Sequence, residues 1–129
     1  MKRILVVEDD NSLSVLLRLI MKVQQEDWDV SSAATGVEAL SQVEKFKPDL
    51  ILLDIMMPEM DGLEVARRLH NDERYKDQKI VILSALSDPE TKQRAKEVGV
   101  LEYWTKPISP DELRDGMLRV LGPEAVDLL

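Results

Sequence analysis

One short pattern constrains the fold of this chain more than any other. It is an unbroken run of four apolar residues, met as Ile4-Leu5-Val6-Val7, Leu50-Ile51-Leu52-Leu53 and Ile80-Val81-Ile82-Leu83. A strand with one wet face alternates apolar and polar residues, whereas a strand covered on both faces reads as a continuous apolar stretch. These runs, each followed by a polar residue or small cluster, therefore predict strands inside a parallel sheet. Residues Trp28 to Ala33 and Val100 to Thr105 are two weaker strand candidates.

Between the strands the apolar period lengthens to that of helices. Leu13, Leu16, Leu17, Ile20 and Val23 form one stripe, with polar residues opposite. Thr35-Gly36-Val37-Glu38 has the form of a capping box before Ala39, Leu40 and Val43, and Asp61-Gly62-Leu63-Glu64 resembles a second. Asp88-Pro89-Glu90 sets proline at a first helical position, and Gly99 suits the end of that helix. Ser109-Pro110-Asp111-Glu112 opens the last helix, which Gly122-Pro123 ends. Strand and helix thus alternate five times. That order requires right-handed crossovers and gives a doubly wound α/β fold, a five-stranded parallel sheet with helices on both faces.

The chain has 129 residues, room for one ordinary domain, which the pattern places at residues 1–121 with 122–129 as a tail or linker start. A net charge of -8 argues against binding nucleic acid or anionic lipid, both of which need clustered Lys and Arg. Absence of cysteine removes disulfides and thiol chemistry, which suits a cytoplasmic protein. The four apolar residues before Glu8 are too few for a signal-peptide core, and no stretch approaches a membrane span.

In an open parallel sheet, ligands bind beyond the carboxyl ends of the strands. There the chain delivers Glu8, Asp9 and Asp10 from the first strand, Asp54 from the third, Ser84 from the fourth and Lys106 from the fifth. Converging carboxylates repel, and a hard divalent cation such as Mg²⁺ relieves them. An aspartate is a competent nucleophile toward a phosphoryl group, and a lysine and a hydroxyl serve the developing charge. Taken singly, each residue has a plainer reading. Glu8-Asp9-Asp10 is equally a solvated turn capping a helix, Asp54 a polar strand end, and Lys106 a loop lysine. The joint placement at four strand ends is what favours chemistry.

These segments, with Asp54-Ile55-Met56-Met57-Pro58 through Asp61-Gly62, Ile82-Leu83-Ser84-Ala85 and Thr105-Lys106-Pro107, resemble the motifs of bacterial two-component response-regulator receiver domains. The resemblance runs from residue 2 to about 121 and implies a flavodoxin-like sheet of strand order 2-1-3-4-5. It implies Asp54 as phosphoryl acceptor, served by a sensor histidine kinase or a histidine phosphotransfer protein. Glu8, Asp9, Asp54 and the Met56 backbone carbonyl match the ligands of Mg²⁺ (or Mn²⁺), with Asp10 just outside. Lys106 matches the phosphoryl-contacting lysine, before a proline that is typically cis. Ser84 and Tyr103 match the switch pair, whose movement repacks the face of the fourth helix, fifth strand and fifth helix. That face would meet a downstream protein, an attached effector domain or a second copy. Leu101-Glu102 stands where winged-helix regulators carry an acidic pair, which speaks against their charged dimer. Met56 and Leu86 match positions that in this family line the route of hydrolytic water, and being apolar they imply a long-lived phosphoryl state.

The rival reading is an aspartate-nucleophile phosphatase. It needs an acid two residues past Asp54, where this chain has Met56. A nucleotide-binding module would need a glycine- or hydroxyl-rich loop where the acidic cluster stands. Outside the site, Trp104 reads either as a partner-binding anchor or as a cover for the sheet edge, the anchor being preferred, with Lys92, Arg94, Asp111 and Arg114 nearby. Trp28 is expected in the core or at its edge. His70, at a helix end, is expected to face solvent, and the charged run from Arg67 to Lys76 to form a solvated helix end and loop.

Overall fold

A computed structural model describes residues 1–24 and 27–122. The elements run β1 (Lys2–Val7), α1 (Ser12–Gln24), β2 (Trp28–Ala33), α2 (Gly36–Phe46), β3 (Leu50–Leu53), α3 (Gly62–His70), β4 (Ile80–Ser84), α4 (Pro89–Glu97), β5 (Glu102–Thr105) and α5 (Pro110–Leu121). The strands form one parallel sheet in the order β2-β1-β3-β4-β5. Apart from Gly122, the tail expected over 122–129 lies outside the described residues.

The apolar runs are continuous because each supplies both faces of the sheet. Leu5, Val7, Ile51, Leu53, Ile80 and Ile82 face one side, where α2, α3 and α4 pack. Ile4, Val6, Leu50, Leu52, Val81 and Leu83 face the other, under α1 and α5. Trp28 joins this second core, as expected. The helices are anchored unequally. α3 buries Leu63, Val65, Ala66 and Leu69, whereas α4 buries Ala95 alone. At about 1.5–3 kcal/mol per fully buried Leu or Val, α4 is the most weakly held helix of the sheet's second half.

Helix starts follow the polar signals. Ser109 and Glu112 close a full capping box. At α2 only half forms, because the Glu38 carboxylate accepts from the Ala34 N–H. At α3, Asp61 caps while Glu64 turns outward to Arg67 and Arg68, pairs that sit in solvent as the charged run predicts. Val23 departs from the predicted stripe and is 75% exposed, since one turn beyond Ile20 it has drifted off the core face. The fifth strand starts later than expected. The Val100 N–H is spent on the Ala95 carbonyl in closing α4, and Gly99 makes that turn at φ 88.

Candidate functional site

Strand register brings the polar strand ends into line. Val7 lies opposite both Ala33 and Leu53, Leu53 opposite Ile82, and Ser84 opposite Thr105. The next residues are therefore delivered to one edge in step. Backbone bonds hold them there: Glu8 N–H donates to the Ala33 carbonyl at 3.1 Å, Asp54 to Val7 at 2.9 Å, and Lys106 to Ser84 at 2.8 Å.

The Lys106 ammonium joins the acids. Its Nζ donates to Glu8 Oε2 at 3.2 Å and to Asp54 Oδ2 at 3.3 Å. Glu8 is buried, and its other oxygen accepts from the Leu13 N–H at 3.0 Å, tying the site to the first turn of α1. Burial pushes the Glu8 carboxyl above its ordinary range, against the pull of the Leu13 N–H and of Lys106. Burial also opposes the Lys106 charge, but Asp54 and Glu8 outweigh it and hold the ammonium above the usual lysine value. The remaining Asp54 oxygen, Oδ1, accepts from the Met56 N–H at 3.1 Å. Asp9 is exposed at the same edge. Asp10 turns away to the backbone and hydroxyl of Ser12, which hold it below the usual carboxylate range.

Gly62 sets the back wall. A Cβ there would collide with the Asp54 backbone carbonyl, while the Gly62 N–H donates to Ile55 O at 3.0 Å. The sequence marks Gly62 as part of a helix start and as the end of the motif that follows Asp54, and neither says what it crowds; its place behind Asp54 emerges from the fold. Ser84 is fully buried at the end of β4, and its hydroxyl accepts from the Leu86 N–H at 3.3 Å. Half-buried Tyr103 donates from its hydroxyl to the Leu86 carbonyl at 2.6 Å, with the Lys92 ammonium 5.7 Å from its ring centroid. Burial raises the Tyr103 hydroxyl above its ordinary value. Both expected switch residues thus hold the same residue of the β4–α4 loop.

Two expectations outside the site need correction. Trp104 is 9% exposed, lies against Gly116 of α5, and donates its indole N–H to Glu102 at 2.8 Å. Arg119 holds Glu102 in turn, so Trp104 locks β5 to α5 rather than offering a free anchor. His70 is half-buried, with Nδ1 2.7 Å from Val98 O and Nε2 2.9 Å from Gln78 O. It bridges the turns flanking β4 and α4, partners that a helix-end position cannot announce.

The donor set at the strand ends consists of carboxylate and carbonyl oxygens, the hard ligands that suit Mg²⁺ or Mn²⁺. Among the described residues no three acidic or histidine side chains close on one point. Two carboxylates nevertheless reach a single ammonium, which marks where positive charge is wanted. The residues therefore fit a cation with few protein oxygens and several waters, the habit of Mg²⁺. The Lys106–Pro107 bond is cis, as the motif led us to expect.

A family model described as the response regulator receiver domain matches residues 4–117. The chain is 35% identical over 121 residues to sporulation initiation phosphotransferase F of Bacillus subtilis, an alignment covering 93% of this chain and 94% of that protein. It is 38% identical over 120 residues to the alkaline phosphatase synthesis transcriptional regulatory protein PhoP of the same organism, but spans only 48% of PhoP's length. Among solved structures, the Mn(2+)-bound form of response regulator Rcp1 superposes with a TM-score of 0.80 at 25% identity, covering 100% of this chain and 99% of that one.

Proposed function

The chain belongs to the response regulator receiver domain family, the signalling domains of two-component systems, and from that premise we propose that Asp54 is its phosphoryl acceptor. The observation that carries this reading is the Lys106 ammonium, 3.2 Å from Glu8 and 3.3 Å from Asp54 on three different strand ends. In the reaction an Asp54 oxygen attacks the phosphorus of a phosphohistidine; the O–P bond forms as the P–N bond breaks and the electron pair leaves with the imidazole. The donor is a sensor histidine kinase or a histidine phosphotransfer protein. Glu8, Asp9, Asp54 and the Met56 carbonyl would hold Mg²⁺ (or Mn²⁺), which supplies charge neutralisation for the phosphoryl oxygens.

This chain's own groups do the rest. The Met56 N–H fixes one Asp54 oxygen, so the carboxylate presents a defined face. Lys106 stands ready to follow the new negative charge. Ser84, drawn to the phosphoryl group, gives up its bond to Leu86 and slackens the loop that Tyr103 also holds. α4 begins just beyond that loop and is anchored by Ala95 alone, so it is the element that yields. The altered α4-β5-α5 surface then binds a downstream protein, an attached effector domain or a second copy. The domain acts as a switch with no separate substrate, in the cytoplasm; a phosphatase would need an acid two residues past Asp54, where this chain has Met56.

Incubation with Mg²⁺ and acetyl phosphate tests this. Intact mass should show one phosphoryl adduct that requires the cation and is lost in Asp54→Asn. An adduct that persists in Asp54→Asn would overturn the assignment.

A further inference from the structure

The chain has six methionines and no cysteine, so its sulfur redox chemistry rests on thioethers. Most of these are shielded. Met117 is fully buried, Met57 is 9% exposed, and Met21 and Met60 are half-buried. Met1 is open but precedes β1, at the opposite sheet edge from the site. Met56 is 57% exposed, and its N–H is bonded to Asp54 Oδ1 at 3.1 Å. It is therefore the exposed methionine whose backbone is bonded to the reacting carboxylate.

We propose that Met56 is a site of reversible oxidation by hydroperoxides, and that its sulfoxide shortens the life of the phosphoryl group on Asp54. The proposal rests on Asp54 being the acceptor. In the step, a sulfur lone pair attacks one peroxide oxygen; the S–O bond forms as the O–O bond breaks. Sulfur loses two electrons, and the departing oxygen takes the proton from its partner through solvent, leaving water or an alcohol. The product differs from the thioether in the property that matters here. A thioether is a weak acceptor that does little to order water, whereas a sulfoxide oxygen is polar and accepts strongly. Beside an acyl phosphate it holds a water for attack on phosphorus.

The test is a decay measurement. Protein treated with hydrogen peroxide and untreated protein are each phosphorylated with acetyl phosphate and Mg²⁺, freed of donor and followed by intact mass. Peptide mapping should find oxygen on Met56 well before Met57. The oxidised form should lose its phosphoryl group about fivefold faster, the rate equivalent of about 1 kcal/mol or one hydrogen bond. Methionine sulfoxide reductase should restore the slow decay. In Met56→Leu the same treatment should leave the decay as it was for that variant, although Met1 still takes up oxygen; in Met60→Leu the response should remain. Equal oxidation of Met56 and Met57, or equal decay of the two forms, would overturn the proposal alone. Failure of the reduced protein to form any adduct would overturn the reading of Asp54 and this inference with it.

Discussion

Replacing Lys106 by methionine keeps the side-chain length and removes the charge that Glu8 and Asp54 share. At the observed 3.2 and 3.3 Å, each attraction is worth about 5 kcal/mol gross at an effective dielectric constant near 20. Most of that is offset by desolvating the ammonium, and the Lys106 side chain is still 32% exposed and so partly screened. Removing one partner of a fully buried pair costs about 3–5 kcal/mol, so the expected loss here is smaller, about 1–3 kcal/mol at neutral pH. The pH dependence is the sharper signature. Glu8 already has a folded-state pKa raised by burial, so between the ordinary carboxylate value and that raised value the folded protein binds more protons than the unfolded chain. Stability from this group therefore falls as pH rises through that window. Without Lys106 the Glu8 value rises further and the fall steepens, so the deficit of the variant should shrink to below about 1 kcal/mol near pH 5. Urea unfolding in EDTA, followed by fluorescence of the buried Trp28 and Trp104, measures it. A deficit that is the same at both pH values, or a variant more stable than the parent at neutral pH, would refute the electrostatic account.

Gly62→Ala should lose about 1–3 kcal/mol in urea unfolding, because its Cβ meets the Asp54 backbone carbonyl, and should slow phosphorylation as Asp54 is displaced. Hydrogen exchange should find α4 amides opening at least about tenfold faster than those of α3, since Ala95 stands against Leu63, Val65 and Leu69; equal protection would contradict the unequal anchoring. Tyr103→Phe should cost about 0.5–1.5 kcal/mol for the lost bond to Leu86 and still accept a phosphoryl group, while the exchange response of α4 to phosphorylation is blunted. Glu8→Gln should flatten the metal-free stability profile just above the ordinary carboxylate range, because it removes the group whose raised pKa produces the slope.

Much of this was legible before the fold was known. A strand buried on both faces cannot alternate, so β1, β3 and β4 announced themselves as unbroken apolar runs, and the polar residue after each run named the site edge. What stayed hidden depends on partners far away in the chain. Val100 reads as strand until its N–H is seen to belong to Ala95. Trp104 reads as an anchor or as an edge cover until Gly116 is placed beneath it. His70 takes its two carbonyl partners from residues 28 and 8 positions away, a pairing that helical periodicity does not encode. Gly62 illustrates the same limit at the site, because the crowding behind Asp54 arises from a loop folding back on its own strand.

The central claim concerns a single bond, between phosphorus and an Asp54 oxygen. Borohydride reduction of the acyl phosphate formed with acetyl phosphate and Mg²⁺, followed by peptide mapping, reads that bond directly. The account predicts homoserine at position 54 and at no other acidic residue. Homoserine at Asp9 or Asp10, the longer 5-hydroxynorvaline at Glu8, or no reduced residue in protein carrying a stable adduct, would contradict it.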